Sequence, residues 1–143
     1  KYVSPTMERF FEMLAELKRE GYRTAIVSNK LQAGVSAMYH RHYASLVHVA
    51  IGEHDGVRRK PAPDMIYEAI AQLGVKKEEC LYLGDSDVDI LTARAAGLPC
   101  ISVLWGFRDK EFLLAHGATT LVQHPTDILD ILHRGQALPI LQP

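Results

Sequence analysis

The sequence holds no apolar stretch near the ~20 residues that a bilayer span requires, and no surplus of either charge. Its 16 basic and 17 acidic residues leave a formal net charge of -1. The first lack excludes a membrane-spanning helix. The second excludes a field that would gather nucleic acid or an anionic membrane, so neither is an expected partner. Charge-based chemistry, if present, is local. The opening KYVSPTMERFFEML lacks the apolar core and small-residue cleavage site of a secretory leader, and the expectation is a soluble, cytoplasmic protein.

Cysteine is scarce. Cys80 and Cys100 are the only two, neither stands in a C-x-x-C or metal-ligand spacing, and both open apolar runs, so they read as buried, reduced thiols. The seven histidines form no two-His helical zinc motif and read as surface or satisfied core residues. There is no Gly-x-Gly-x-x-Gly turn, which removes a dinucleotide-binding domain from consideration.

What is present is a composition of 48% hydrophobic and 23% charged residues over 143 positions, enough for one compact domain, 1–143, with a full core. Apolar residues Phe10, Phe11, Leu14 and Leu17 recur at helical spacing, with Thr6 as the expected N-cap and Gly21 as the stop. TAIVSN, Thr24 to Asn29, reads as a strand buried on both faces. A weaker helix, LQAGVSAMYHRHY, follows, then a strand VHVAI and a helix PAPDMIYEAIAQLG bounded by Pro63 and Gly74.

The rhythm repeats through strand CLYLG, a helix from Asp87 to Ala96 stopped by Gly97, strand PCISVLW, helix DKEFLLAHG, strand TTLVQ and helix PTDILDILH. Strands alternating with helices predict an α/β, Rossmann-like three-layer core with a mostly parallel sheet. The tail RGQALPILQP fits no helix, and residues 134–143 read as an extended C-terminal arm.

In an open α/β sheet ligands bind beyond the carboxyl ends of the strands, and three polar stops qualify. TAIV ends at Ser28-Asn29; VRRKPAP carries Lys60; CLYL ends in Gly84-Asp85-Ser86-Asp87-Val88-Asp89. Three carboxylates in five residues repel one another, by roughly 1 kcal/mol per pair at 4 Å even in bulk water, unless a cation sits among them. Asp85 and Asp89, four apart across a turn that opens a helix, share one side of its first turn and suit a hard cation such as Mg2+, which takes one or two carboxylates with water and phosphate oxygens.

A capping box, Ser86-x-x-Asp89, explains one or two of these residues without any ligand, but it does not require Asp85. Taken alone, RRK reads as a solvated basic patch and Ser28 as a helix cap. Together, a hydroxyl, an ammonium and a carboxylate pair at one sheet edge form a kit for stabilising charge on a transferring phosphoryl group.

These segments resemble the haloacid dehalogenase-like superfamily of phosphohydrolases. AIVSNK resembles its second motif, KPAPDMIYEAIAQLGV the third, and YLGDSDVDILTARAAGLPCISVLWGF the fourth, in order. VLWGFRDKEFLLAHGATTLVQHPTDIL is similar to the end of the phosphoglycolate phosphatase-like branch. The resemblance implies a phosphomonoester hydrolase acting on a small phosphorylated metabolite. It further implies that Ser28 and Asn29 hold the phosphate, that Lys60 neutralises charge between phosphate and nucleophile, and that Asp85 ligates Mg2+. Asp89 would then ligate through water or orient that shell, while Asp87 lies outside the pattern and is expected to face solvent.

The family's first motif, a strand ending Asp-x-Asp-Gly-Thr that supplies the phosphorylated aspartate and the general acid and base, has no counterpart here, and neither has the cap domain. In the resembled sheet that strand is central, between the strands that here read TAIV and CLYL. Its absence would leave backbone groups unpaired. One of three remedies is expected: the two flanking strands pair directly, another segment or chain inserts, or an N-terminal portion precedes this sequence. Such a slot also favours strand exchange and homodimers.

The rival to a catalytic core is a non-catalytic phosphate-binding or assembly module, or one part of a split phosphatase. A receiver-type signalling domain would place its acidic pair early and its lysine late, against the order Ser28, Lys60, Asp85 seen here. In the WGFR loop, Trp105 and Phe107 read as packing residues that could also line the pocket mouth.

Overall fold

The computed structural model describes residues 4–140; of the expected arm over 134–143, residues 141–143 lie outside the described residues. The first helix, α1 (Pro5–Arg19), is capped by Ser4 and not by Thr6. The Ser4 hydroxyl accepts the Met7 N–H at 3.2 Å. Pro5 then opens the helix, where its missing N–H costs nothing. Met13, Leu14 and Leu17 form its buried stripe.

The chain continues through β1 (Ala25–Leu31), α2 (Gln32–Met38), a single widened turn Tyr39–Tyr43, β2 (Val49–Glu53), α3 (Asp64–Leu73), β3 (Tyr82–Gly84) and α4 (Asp87–Ala96). It ends with β4 (Cys100–Val103), α5 (Lys110–Ala115), β5 (Thr120–Val122) and α6 (Pro125–His133). Gly74 and Gly97, at φ 68° and 73°, end α3 and α4 in the left-handed conformation that glycine adopts without steric cost.

The strands are parallel and the class is α/β, as expected. Val27 lies opposite Ile51 in the first pair, Leu83 opposite Ile101 in the second, and Ser102 opposite Leu121 in the third. Side-chain alternation along β4 separates the two layers of helix. Ile101 and Val103 join α1 and α6 through Leu14, Leu17, Ile128 and Ile131. Cys100 faces the other way, among Ile66, Ile90, Ala93 and Leu113 of α3, α4 and α5. Leu138 packs on the first cluster, and Ile140 makes an isolated antiparallel bridge to Pro99.

Direct pairing of the two strands that flank the expected gap does not occur. Among the described residues β1 bonds only to β2, and β3 only to β4, so the strands form a two-stranded and a three-stranded sheet. The two sheets nonetheless share hydrophobic clusters. Ile26, Leu81 and Leu83 pack on one cluster, and Val27 packs on the cluster of Tyr82.

The same gap corrects a second expectation. Ala25, Ile26 and Val27 are half-buried, whereas β4, flanked by a strand on each side, is buried throughout. A strand as apolar as β1 suits burial on both faces, and among the described residues it has a neighbouring strand on one edge only. Cys100 is buried as expected, its thiol pushed up to about 12 by burial first and the Asp89 charge second. Cys80 is only half-buried, its Sγ 3.2 Å from the Lys76 carbonyl. No helix among the described residues is long and apolar enough to cross a membrane.

Candidate functional site

The three polar stops converge at one end of the strands. Near the end of β1, where the register with β2 is irregular, the Ser28 hydroxyl accepts the Lys30 N–H at 3.2 Å and does not cap α2. Asn29, next along, reaches 31 residues ahead. Its Oδ1 accepts the Lys60 N–H at 2.8 Å and its Nδ2 donates to the Lys60 carbonyl at 3.1 Å. The side chain expected to hold phosphate is therefore committed to fixing the backbone of Lys60.

So held, Lys60 points its ammonium at Tyr82 and the first turn of α4. Nζ lies 3.0 Å from Asp89 Oδ1 and 3.2 Å from the Tyr82 hydroxyl. The side chains of this ion pair are 13% and 10% exposed. Tyr82 donates to the same Asp89 oxygen at 2.9 Å. The other oxygen, Oδ2, accepts from the Asp85 N–H at 3.0 Å and the Ser86 hydroxyl at 3.1 Å.

Both Asp89 oxygens are thus filled by protein donors. The capping interaction is only half made: Ser86 accepts the Asp89 N–H at 3.3 Å, but the carboxylate reaches back to the Asp85 N–H. Burial pushes the Asp89 carboxyl up. The Lys60 charge, with hydrogen bonds from Lys60, Asp85 and Tyr82, outweighs burial and holds the group below the usual carboxylate range. The Tyr82 phenol is driven far above its ordinary range by burial and then by the Asp89 charge, so it stays a proton donor.

Gly84 makes this packing attainable. A Cβ there would stand 2.7 Å from Asp89 Oδ2, inside van der Waals contact.

Asp85 differs from Asp89. Its Oδ2 accepts the Phe107 N–H at 3.0 Å, and its carbonyl accepts the Arg108 N–H at 3.1 Å. Its Oδ1 has no hydrogen-bond partner among the described residues and is not fully buried. Of the two carboxylates expected to hold a metal, Asp85 alone offers a free oxygen; Asp89 offers order to its neighbours. Asp87 is half-buried in the first turn of α4, where a solvent-facing side chain was expected.

Among the described residues no group of three or more His, Cys, Asp or Glu converges. One open carboxylate oxygen fits a Mg2+ that keeps most of its shell as water and phosphate. A concavity of about 690 Å3 is lined by Leu31, Glu53, His54 and the turn through Arg59, and by none of Ser28, Asn29, Lys60, Asp85 or Asp89.

Three features escaped the sequence reading: the Asn29 clamp, the Tyr82 hydroxyl and the approach of the loop after β4 to Asp85. Only Tyr82 carried a signal, a hydroxyl-bearing residue two positions before the strand-ending glycine in a strand otherwise apolar. Of the two WGFR aromatics expected to pack, Trp105 does so, against Phe10 with centroids 6.5 Å apart, while Phe107 is 71% exposed.

The profile of the haloacid dehalogenase-like hydrolases matches residues 3–103. A phosphoglycolate phosphatase of Photorhabdus laumondii is 32% identical over 123 residues, 83% of this chain and 51% of the relative. An N-acetylmuramic acid 6-phosphate phosphatase of Pseudomonas aeruginosa is 32% identical over 125 residues, 86% of this chain and 55% of the relative. A Lactobacillus delbrueckii crystal structure, provisionally assigned as a phosphoglycolate phosphatase, superposes with a TM-score of 0.83 at 38% identity, over 85% of this chain and 51% of that one. The chain spans about half the length of the curated relatives it matches.

Proposed function

Since the chain belongs to the haloacid dehalogenase-like hydrolase family, we propose that it carries the phosphate- and metal-holding half of a Mg2+-dependent phosphomonoester hydrolase. The substrate is a small phosphorylated metabolite, and the reading follows the phosphoglycolate phosphatase-like relatives. The observation that carries it is the Lys60–Asp89 pair, 3.0 Å apart and largely buried, with Asn29 holding the Lys60 backbone and the Asp85 N–H bonded to Asp89. An ion pair so shielded from water needs specific geometry to offset its desolvation. Here that geometry is supplied by Asn29, Tyr82 and Gly84.

Each residue has a separable task. The Lys60 ammonium has three donors, of which Asp89 and Tyr82 take two, leaving one for a phosphate oxygen. The Ser28 oxygen accepts from Lys30, so its own proton is free to donate to a second phosphate oxygen. Asp89 fixes the position of the ammonium. Asp85 Oδ1 is the atom that would hold Mg2+, which when bound withdraws charge from phosphate oxygens.

The carboxylate nucleophile is not among these residues, and no Asp-x-Asp-Gly-Thr string occurs in the sequence. The half-buried apolar edges of β1 and β3 favour its delivery on one parallel strand lying between them. Parallel strands end at the same side of a sheet, which would bring that carboxylate to Lys60.

Titration of inorganic phosphate, paired with an aryl phosphate hydrolysis assay, tests this reading. Phosphate is expected to bind the wild-type chain and not Lys60→Met, with no turnover by either. Turnover that survives purification and requires Asp85 would locate a nucleophile within this chain. Failure of phosphate to bind would leave a non-catalytic assembly module.

A further inference from the structure

Tyr82 belongs to two environments at once. Its ring lies in the apolar cluster of Ile66, Ile90, Ala93, Leu98 and Leu113 on one side of β3, whereas its neighbours Leu81 and Leu83 pack on the other cluster. A phenylalanine would fill that place equally well. The hydroxyl is what tyrosine adds, and a hydroxyl in apolar surroundings costs stability unless it is hydrogen-bonded.

The hydroxyl is bonded twice, and both partners belong to the candidate site. It donates to Asp89 Oδ1 at 2.9 Å and accepts from Lys60 Nζ at 3.2 Å, while Nζ stands 3.0 Å from the same Asp89 oxygen. Satisfying the phenol alone would take one partner. Tyr82 is 8% exposed, and burial with the Asp89 charge keeps the phenol protonated, so its one oxygen donates and accepts together. Nζ lies 6.0 Å from the ring centroid, so the cation meets the hydroxyl and not the face of the ring.

Nζ, the phenol oxygen and Oδ1 form a nearly equilateral triangle. Both acceptors therefore stand on one side of the ammonium, and its remaining donor capacity faces away from them. A single contact to Asp89 would let the ammonium pivot about one oxygen. The second contact stops that pivot. Asn29 fixes the Lys60 main chain, but a flexible aliphatic stem separates that clamp from the charge.

We propose that the Tyr82 hydroxyl is a positioning group for the Lys60 ammonium, fixing the direction in which its free N–H is presented to a phosphate oxygen. Tyr82 itself makes no contact with the ligand. Phenylalanine in its place would keep the core and the ion pair and lose the aim. This inference rests on the phosphate reading proposed above.

The test joins NMR of the lysine ammonium groups, on the whole chain without ligand, to calorimetric titration of inorganic phosphate, for wild type and Tyr82→Phe. In wild type one ammonium signal, absent from Lys60→Met, should exchange slowly with water and show a nuclear Overhauser contact to the Tyr82 ring. In Tyr82→Phe that signal should shift and exchange faster. Phosphate binding should weaken by about three- to tenfold, the effect expected from one modest hydrogen bond. Tyr67→Phe, which removes an exposed hydroxyl on α3, should change neither readout.

The two readouts must move together. Wild-type phosphate affinity in Tyr82→Phe would overturn the inference and leave the hydroxyl as a core bond only, and so would weakened affinity with an unaltered Lys60 signal. The wild-type Overhauser contact does not depend on the variant folding, and its absence would overturn the inference outright. A wild-type chain that shows the contact but binds no phosphate would instead sink the phosphate reading, and this inference with it.

Discussion

Asn29 grips the main chain of Lys60 with both ends of its carboxamide, accepting from the N–H at 2.8 Å and donating to the carbonyl at 3.1 Å. Among the described residues no other β1 side chain hydrogen-bonds the Lys60 main chain, so an amide 31 residues earlier in the chain helps to place the ammonium.

Asn29→Asp keeps the acceptor and removes the donor, setting a carboxylate against the Lys60 carbonyl. An unsatisfied, partly buried carbonyl costs about 1–3 kcal/mol. Urea unfolding should show a loss of that order, and phosphate affinity should fall with it. Unchanged phosphate affinity would mean that Lys60 is placed by other contacts.

Lys60→Met leaves the Asp89 carboxylate buried without its cation, a loss of about 3–5 kcal/mol at neutral pH for a broken buried pair. In the wild type the folded-state pKa of Asp89 is depressed. Its stabilising contribution is therefore complete above the unfolded value of about 3.9 and disappears as pH falls through the lower folded value. In the variant burial prevails and the folded pKa rises above the unfolded one, so protonation relieves the loss. The stability difference between wild type and Lys60→Met should narrow as pH is lowered from 7 towards 4. A difference constant over that range would contradict the pairing.

Two glycines predict opposite signs. Gly84→Ala drives a methyl group into Asp89 and should destabilise by about 1–3 kcal/mol, as overpacking does. Gly34, inside α2 with nothing within 4 Å of an added Cβ, should gain about 0.5–1 kcal/mol on replacement by Ala. Paired denaturant melts of the two variants decide it.

The unpaired facing edges of β1 and β3 should be visible in amide hydrogen exchange. Ile101, Ser102 and Val103, in a strand bonded on both sides, should exchange only with global unfolding. Amides of β1 that do not bond to β2 should exchange faster by orders of magnitude. Uniform protection across β1 and β4 would mean that the gap is closed in solution.

Element order was legible because each helix carries a local stop, such as Gly74 and Gly97, and each strand a short apolar run. Ser28, Lys60, Asp85 and Asp89 were legible as polar residues at apolar stops. The Thr6 cap was misplaced because Ser4-Pro5 offers a competing start two residues earlier. The Asn29 clamp and the Phe107 contact could not be read. They join residues 31 and 22 positions apart, and neither backbone partner has a side-chain signature. The half-burial of β1 was hidden for a similar reason: its composition records the strand environment it is suited to, and not the single neighbour it has among the described residues.

The central claim is that Lys60 and Asp85 serve one phosphate. Calorimetric titration of inorganic phosphate into the wild-type chain with and without Mg2+, and into Asp85→Asn under both conditions, tests it most directly. The account predicts that Mg2+ tightens phosphate binding in wild type and has no effect in Asp85→Asn, which still binds phosphate weakly through Lys60 and Ser28. Phosphate affinity indifferent to Mg2+ in wild type, or equally enhanced in Asp85→Asn, would contradict it.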